Sequence, residues 1–108
     1  MQLVDLIPFI INADKLEQFY RLEKLNSESE ALLIYMKNSL SIESEIKIFG
    51  IEETEDELVY EVEGVRYLQL FPIDHAVELI SSDLNLIGKG YSDLEIAKRL
   101  LQYRAKDA

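Results

Sequence analysis

The sequence predicts an α+β fold in which a small antiparallel sheet of about three strands is flanked by N-terminal helices and two C-terminal helices. Three observations carry this expectation. Apolar residues recur at helical spacing, with start signals, near both ends of the chain. The middle contains an alternating run broken by one turn signal, EDELVYEVEGVRYLQLF. The 108 residues include 34 Leu, Ile and Val, enough apolar matter for one core, so a single domain spanning 1–108 is expected.

The first element is a helix opening at Asp5. An N-cap there places Pro8 in the first turn, where its missing N–H costs nothing. Leu6, Ile7, Phe9, Ile10 and Ile11 leave almost no polar face, so this helix must be covered on several sides. A second helix is expected over 14–25, from the Asp14-x-x-Glu17 pattern and the apolar series Leu16, Phe19, Tyr20. Asn26-Ser27 breaks it. A third helix is expected over 28–40, from Ser27 with Glu30 and the spacing of Leu32, Leu33, Met36 and Leu40.

Residues 41–51 fit either class. Ile42, Ile46 and Phe49 have helical spacing, but Gly50 and the apolar run favour a strand near 46–51. The next two strands, near 57–62 and 65–71, form a hairpin about a two-residue turn at Glu63-Gly64. That turn sets Val62 opposite Val65, Glu61 opposite Arg66, Tyr60 opposite Tyr67 and Val59 opposite Leu68. A slip of one residue destroys every match. Leu68, Leu70 and Phe71 make the second strand apolar on both faces near its end. Pro72 ends it, and Asp74 is read as the cap of a helix running to Leu84. Asn85 to Gly90 is a loop. The last helix, near 92–106, opens on a capping box, Ser92 with Glu95, stapled by Tyr91 and Ile96.

Charge narrows the function classes. Acids outnumber bases 21 to 11, for a formal net charge of −10. Nucleic acid is an unfavourable partner for such a chain, because phosphate neutralisation supplies most of that affinity. With no cysteine, a disulfide scaffold and a Cys-ligated metal site are ruled out. The apolar start lacks the basic flank and cleavage pattern of a signal peptide. It is also shorter than the about 20 residues needed to span a bilayer. A cytoplasmic protein bound to no membrane is expected.

The acids are concentrated. Residues 43–63 hold nine acids against Lys47 alone, a net −8, whereas 89–106 carry a net +3. Glu52, Glu53, Glu55, Asp56 and Glu57 form the densest run and are the candidate partner-binding residues. Such a run serves solubility, or it docks a basic protein through electrostatic steering. It lacks the spacing of a calcium-binding EF-hand loop. The only histidine, His75, follows Asp74, but neighbours at a helix start point apart, which disfavours an acid–base couple. Tyr60 and Tyr67 read as sheet packing. The Gly88-Lys89-Gly90 loop lacks the P-loop pattern. No catalytic, cofactor or metal residues are assigned. The functional expectation is a non-enzymatic, inhibitor-like or immunity-like interaction domain using its acidic surface. The alternatives are a homo-oligomeric structural or adaptor protein, a homodimer for example, joined through the first helix or the sheet face, and a small enzyme with a carboxylate-lined pocket.

Overall fold

The computed structural model describes residues 1–23 and 29–107. Its elements in chain order are α1 (Leu3–Ile10), α2 (Ala13–Leu22), β1 (Leu32–Lys37), β2 (Ile46–Gly50), α3 (Ile51–Thr54), β3 (Val59–Val62), β4 (Val65–Pro72), α4 (Ile73–Glu78), a π-helical turn (Leu79–Asp83) and α5 (Asp93–Asp107). The fold is α+β, with four antiparallel strands in the order β2-β1-β4-β3.

The fourth strand corrects the helix expected over 28–40. Residues 32–37 form β1, a central strand paired with both β2 and β4. A buried apolar run has no polar stripe to reveal its period, and Leu-Leu-Ile-Tyr-Met satisfies either reading. In the strand, Leu33 and Tyr35 join one buried cluster while Ile34 and Met36 join another. Leu40, which completes the helical spacing, lies exposed in the following loop. The Asn26-Ser27 break and the Ser27 half of its capping box lie outside the described residues, as do the last two residues of the helix expected to end at 25.

The β3–β4 hairpin has the expected register, with Tyr60 paired to Tyr67 and Glu61 to Arg66. Its turn places both Glu63 and Gly64 at positive φ, 53° and 77°, the type I′ geometry that matches the strand twist. Leu70 and Phe71, consecutive at the end of β4, face the same side of the sheet. Against β1 the register slips between Ile34, opposite Phe71, and Tyr35, opposite Gln69. The extra residue is Leu70, so this bulge turns both Leu70 and Phe71 into the helix-side core.

Three helices are capped two or three residues ahead of the acids read as their caps, for a common reason. The N-caps are Gln2, Asn12 and Pro72, and Asp5, Asp14 and Asp74 sit inside the first turns. There an acid faces the positive end of the helix dipole, a role that sequence alone confuses with capping. Asp5 accepts the Gln2 N–H at 2.9 Å. The Asn12 side chain accepts the N–H groups of Asp14 and Lys15 at 3.0 and 3.2 Å. Pro8 consequently lies inside α1 and not in its first turn. At the start of α5, Ser92 Oγ accepts the Glu95 N–H at 3.2 Å, as its capping box requires.

The helices cover one face of the sheet with a mainly aliphatic core that also buries Phe19 and Phe71. Leu3, Leu6, Ile7 and Ile10 of α1 are buried against residues such as Ile34, Met36, Leu79, Ile80, Ile96 and Leu100. α1 packs on α5, α2 and α4. Part of the cover expected from a second copy therefore comes from the chain's own helices. No helix among the described residues is long and apolar enough to cross a membrane.

Candidate interaction surface

The opposite face of the sheet curls around a second, aromatic core. Leu33, Tyr35 and Phe49 are its buried members, with Tyr60, Val62 and Tyr67 half-buried around them. β2 and β3 lie at opposite ends of the strand order, yet the Phe49 and Tyr60 rings meet edge to face at 5.1 Å. Phe49 also meets Tyr67 at 5.3 Å, and the Lys47 ammonium lies 5.1 Å from the Phe49 ring centre. Such pairs each add about 0.5–1.5 kcal/mol beyond burial, and they draw the sheet ends together. This contraction lets the short segment between β2 and β3 pass over the curled face.

That segment is the acidic run. It is one helical turn, α3, followed by two residues in the left-handed region, Glu55 at φ 54° and Asp56 at φ 58°. Each such residue costs roughly 1–2 kcal/mol outside glycine, so neighbouring structure must hold it. The holding groups lie beneath it. Thr54 is 2 % exposed and Gln69 8 %, the only buried polar side chains among the described residues. The Tyr35 hydroxyl lies 2.6 Å from the Glu57 carbonyl and 3.0 Å from the Thr54 hydroxyl. A carbonyl only accepts, so the single tyrosine proton goes to Glu57 and Thr54 supplies the hydrogen of its own contact. The Gln69 amide donates to the Tyr35 oxygen at 3.1 Å and to the Asp56 carboxylate at 2.9 Å. No buried side-chain nitrogen or oxygen among the described residues lacks a partner.

A second tie holds the start of the run. The Ser29 hydroxyl has one proton for two acceptors, the Ala31 carbonyl at 2.9 Å and the Glu52 carboxylate at 3.0 Å. Gly50 permits this approach, because a Cβ there would stand 3.0 Å from Ser29 Oγ. All five acids, Glu52, Glu53, Glu55, Asp56 and Glu57, are exposed while the intervening Thr54 points inward. The Asp56 carboxylate accepts from Gln69 and the Glu52 carboxylate lies within reach of the Ser29 hydroxyl, while Glu53, Glu55 and Glu57 are exposed.

The other singled-out residues have packing roles. His75 lies 5.3 Å from Phe71 and 6.3 Å from Tyr103, centre to centre. Glu17, Glu30 and Asp74 rim an open depression of about 300 Å³, but all three are exposed, and no acid is buried among the described residues. No group of three or more His, Cys, Asp or Glu is placed to hold a metal ion among them. Tyr20, also at this depression, is pushed above the usual tyrosine value by burial and then by the Asp74 charge.

Sequence reasoning found the acidic run but not its support. Tyr35 fell inside the misread helix. Gln69 did leave a signal, as a lone amide between Leu68 and Leu70 in an apolar strand. No family model, curated protein or solved structure matches the chain.

Proposed function

We propose that this chain is a non-enzymatic interaction domain that binds a basic protein through the acidic run, in the manner of an inhibitor or immunity protein. The observation that supports this reading is the order imposed on Glu52–Glu57. A run kept only for solubility needs no buried network beneath it and no left-handed residues within it. A docking surface gains from both, because groups fixed before binding lose less entropy on binding. Concentrated negative charge also raises the association rate of a basic partner and rejects acidic ones, including nucleic acid. The proposed setting is the cytoplasm, in keeping with a chain free of cysteine.

The test uses Glu53, Glu55 and Glu57 changed together to lysine. Asp56 is left in place, since it accepts from Gln69. Immobilised wild-type protein is expected to retain a basic protein from the native cell extract at low salt and release it at high salt, while the variant retains none. Equal retention by wild type and variant, or retention indifferent to salt, would contradict the proposal.

A further inference from the structure

The two edges of the sheet are not equivalent. Along β2, the Ile46 N–H donates to the Met1 carbonyl at 2.8 Å, and Gln2 bridges to Glu45, so the chain's own first residues cover the start of that edge. Along β3, no strand among the described residues pairs with the outer side. The direction of its backbone groups follows from two bonds. Gln69 N–H donates inward to the Leu58 carbonyl, and the Arg66 carbonyl accepts from Asn38 on the β1 side. In an antiparallel pair these directions alternate, so Leu58, Tyr60 and Val62 turn their backbone groups to β4. Val59 and Glu61 turn theirs outward. The side chains at this edge are also uncovered, Leu58 at 62 % and Val59 at 44 % exposure.

We infer that the β3 edge receives an extended basic segment of the partner protein as an added strand. This rests on the acidic-surface reading and specifies how that surface binds. Charge complementarity selects the occupant. The edge continues directly from Glu55 and Glu57 into Glu61 and Glu63, all exposed, with Arg66 as the neighbouring base. An added strand places residues opposite Val59 and Glu61 on one face and opposite Tyr60 and Val62 on the other. Cross-strand pairing then asks for Lys or Arg opposite Glu61 and for apolar residues opposite Val59, Tyr60 and Val62. A second copy of the same edge would set glutamates against glutamates, which disfavours self-pairing.

The probe is a short synthetic peptide with one lysine to stand opposite Glu61 and valine to stand opposite Val59, Tyr60 and Val62, and the readout is amide hydrogen exchange of the full chain. Val59 and Glu61 amides are expected to slow about tenfold at a peptide concentration near ten times Kd. The same peptide N-methylated at every backbone amide keeps its charge and loses the strand-forming donors of both edges, so it is expected to slow neither amide. Glu61→Pro removes an outward N–H that the native sheet does not use, and it is expected to keep the fold while abolishing the slowing. No slowing at either amide, equal slowing by the N-methylated peptide, or association of two copies through β3 overturns the inference. A peptide with serine in place of lysine separates the two claims. If it slows both amides as strongly as the basic peptide, strand pairing stands and acidic recognition falls. If the N-methylated basic peptide binds at the acidic run without slowing Val59 or Glu61 and the unmodified peptide does the same, acidic recognition stands and strand addition falls.

Discussion

The two faces of the sheet are filled by different chemistry. The helix-covered face is mainly aliphatic and its buried cluster holds no polar side chain: Leu3, Leu6, Ile7, Ile34, Met36, Leu79, Ile80 and Leu100 are buried there, with Phe19 and Phe71 as the buried rings. The curled face is aromatic and polar, with Tyr35 joining Phe49 and Tyr60 by its ring and Thr54, Glu57 and Gln69 by its hydroxyl. Aliphatic burial is non-directional and stabilises the chain as a whole. Aromatic edges and hydrogen bonds are directional, and they fix where one segment sits. The difference teaches that stability and presentation are divided between the faces. The larger core makes the domain, and the smaller one orders the acidic run.

The largest loss of stability is expected on the helix side. Leu6→Ala empties a fully buried position of α1, and a loss of about 2–5 kcal/mol is expected in denaturant unfolding. Amide exchange at Glu55 and Glu57, under conditions where the variant is still folded, is expected to keep its native pattern.

Tyr35→Phe is the sharper test on the curled face. The ring stays against Phe49, but the Glu57 carbonyl, the Thr54 hydroxyl and the Gln69 amide each lose a partner. A loss of about 1–3 kcal/mol is expected, less than for Leu6→Ala, with exchange at Glu55 and Glu57 faster than in the rest of the sheet. Uniform acceleration everywhere would show that the network serves the whole fold and not the run.

Glu53→Lys with Glu55→Lys is expected to shift stability by no more than about 0.5 kcal/mol, since both side chains are exposed. Its effect is reserved for association with a basic partner, read by stopped-flow at several salt concentrations. The smallest effect concerns pH. Burial raises the Tyr20 ionisation in the folded chain, so the unfolded chain releases that proton first as the solution turns alkaline. The contribution is complete below the ordinary tyrosine value near 10 and is lost as pH rises through the folded value. Tyr20→Phe is expected to flatten that part of the alkaline stability profile.

Legibility in the sequence followed the same physical division. The hairpin was readable residue by residue, because β3 and β4 alternate and the turn type needs Gly64. The capping box of α5 was readable because both partners lie within one turn. β1 was not, because a strand buried on both faces carries no alternation, so its apolar run passes for a helix. The acidic run was visible as charge, but its order was not. That order depends on Tyr35 and Gln69, which are 19 and 15 residues from Thr54 in the chain and are joined to it only by the sheet register.

Amide exchange of the unmodified protein reads whether the acidic segment is a fixed surface. Glu55 N–H donates to the Ile51 carbonyl at 2.8 Å, and Glu57 N–H to the Thr54 carbonyl at 3.1 Å. Both amides are expected to be protected to a degree approaching the strand amides of β4, and to lose that protection selectively in Tyr35→Phe. Exchange of Glu55 and Glu57 at the rate of an unstructured peptide in the wild-type chain would contradict the account.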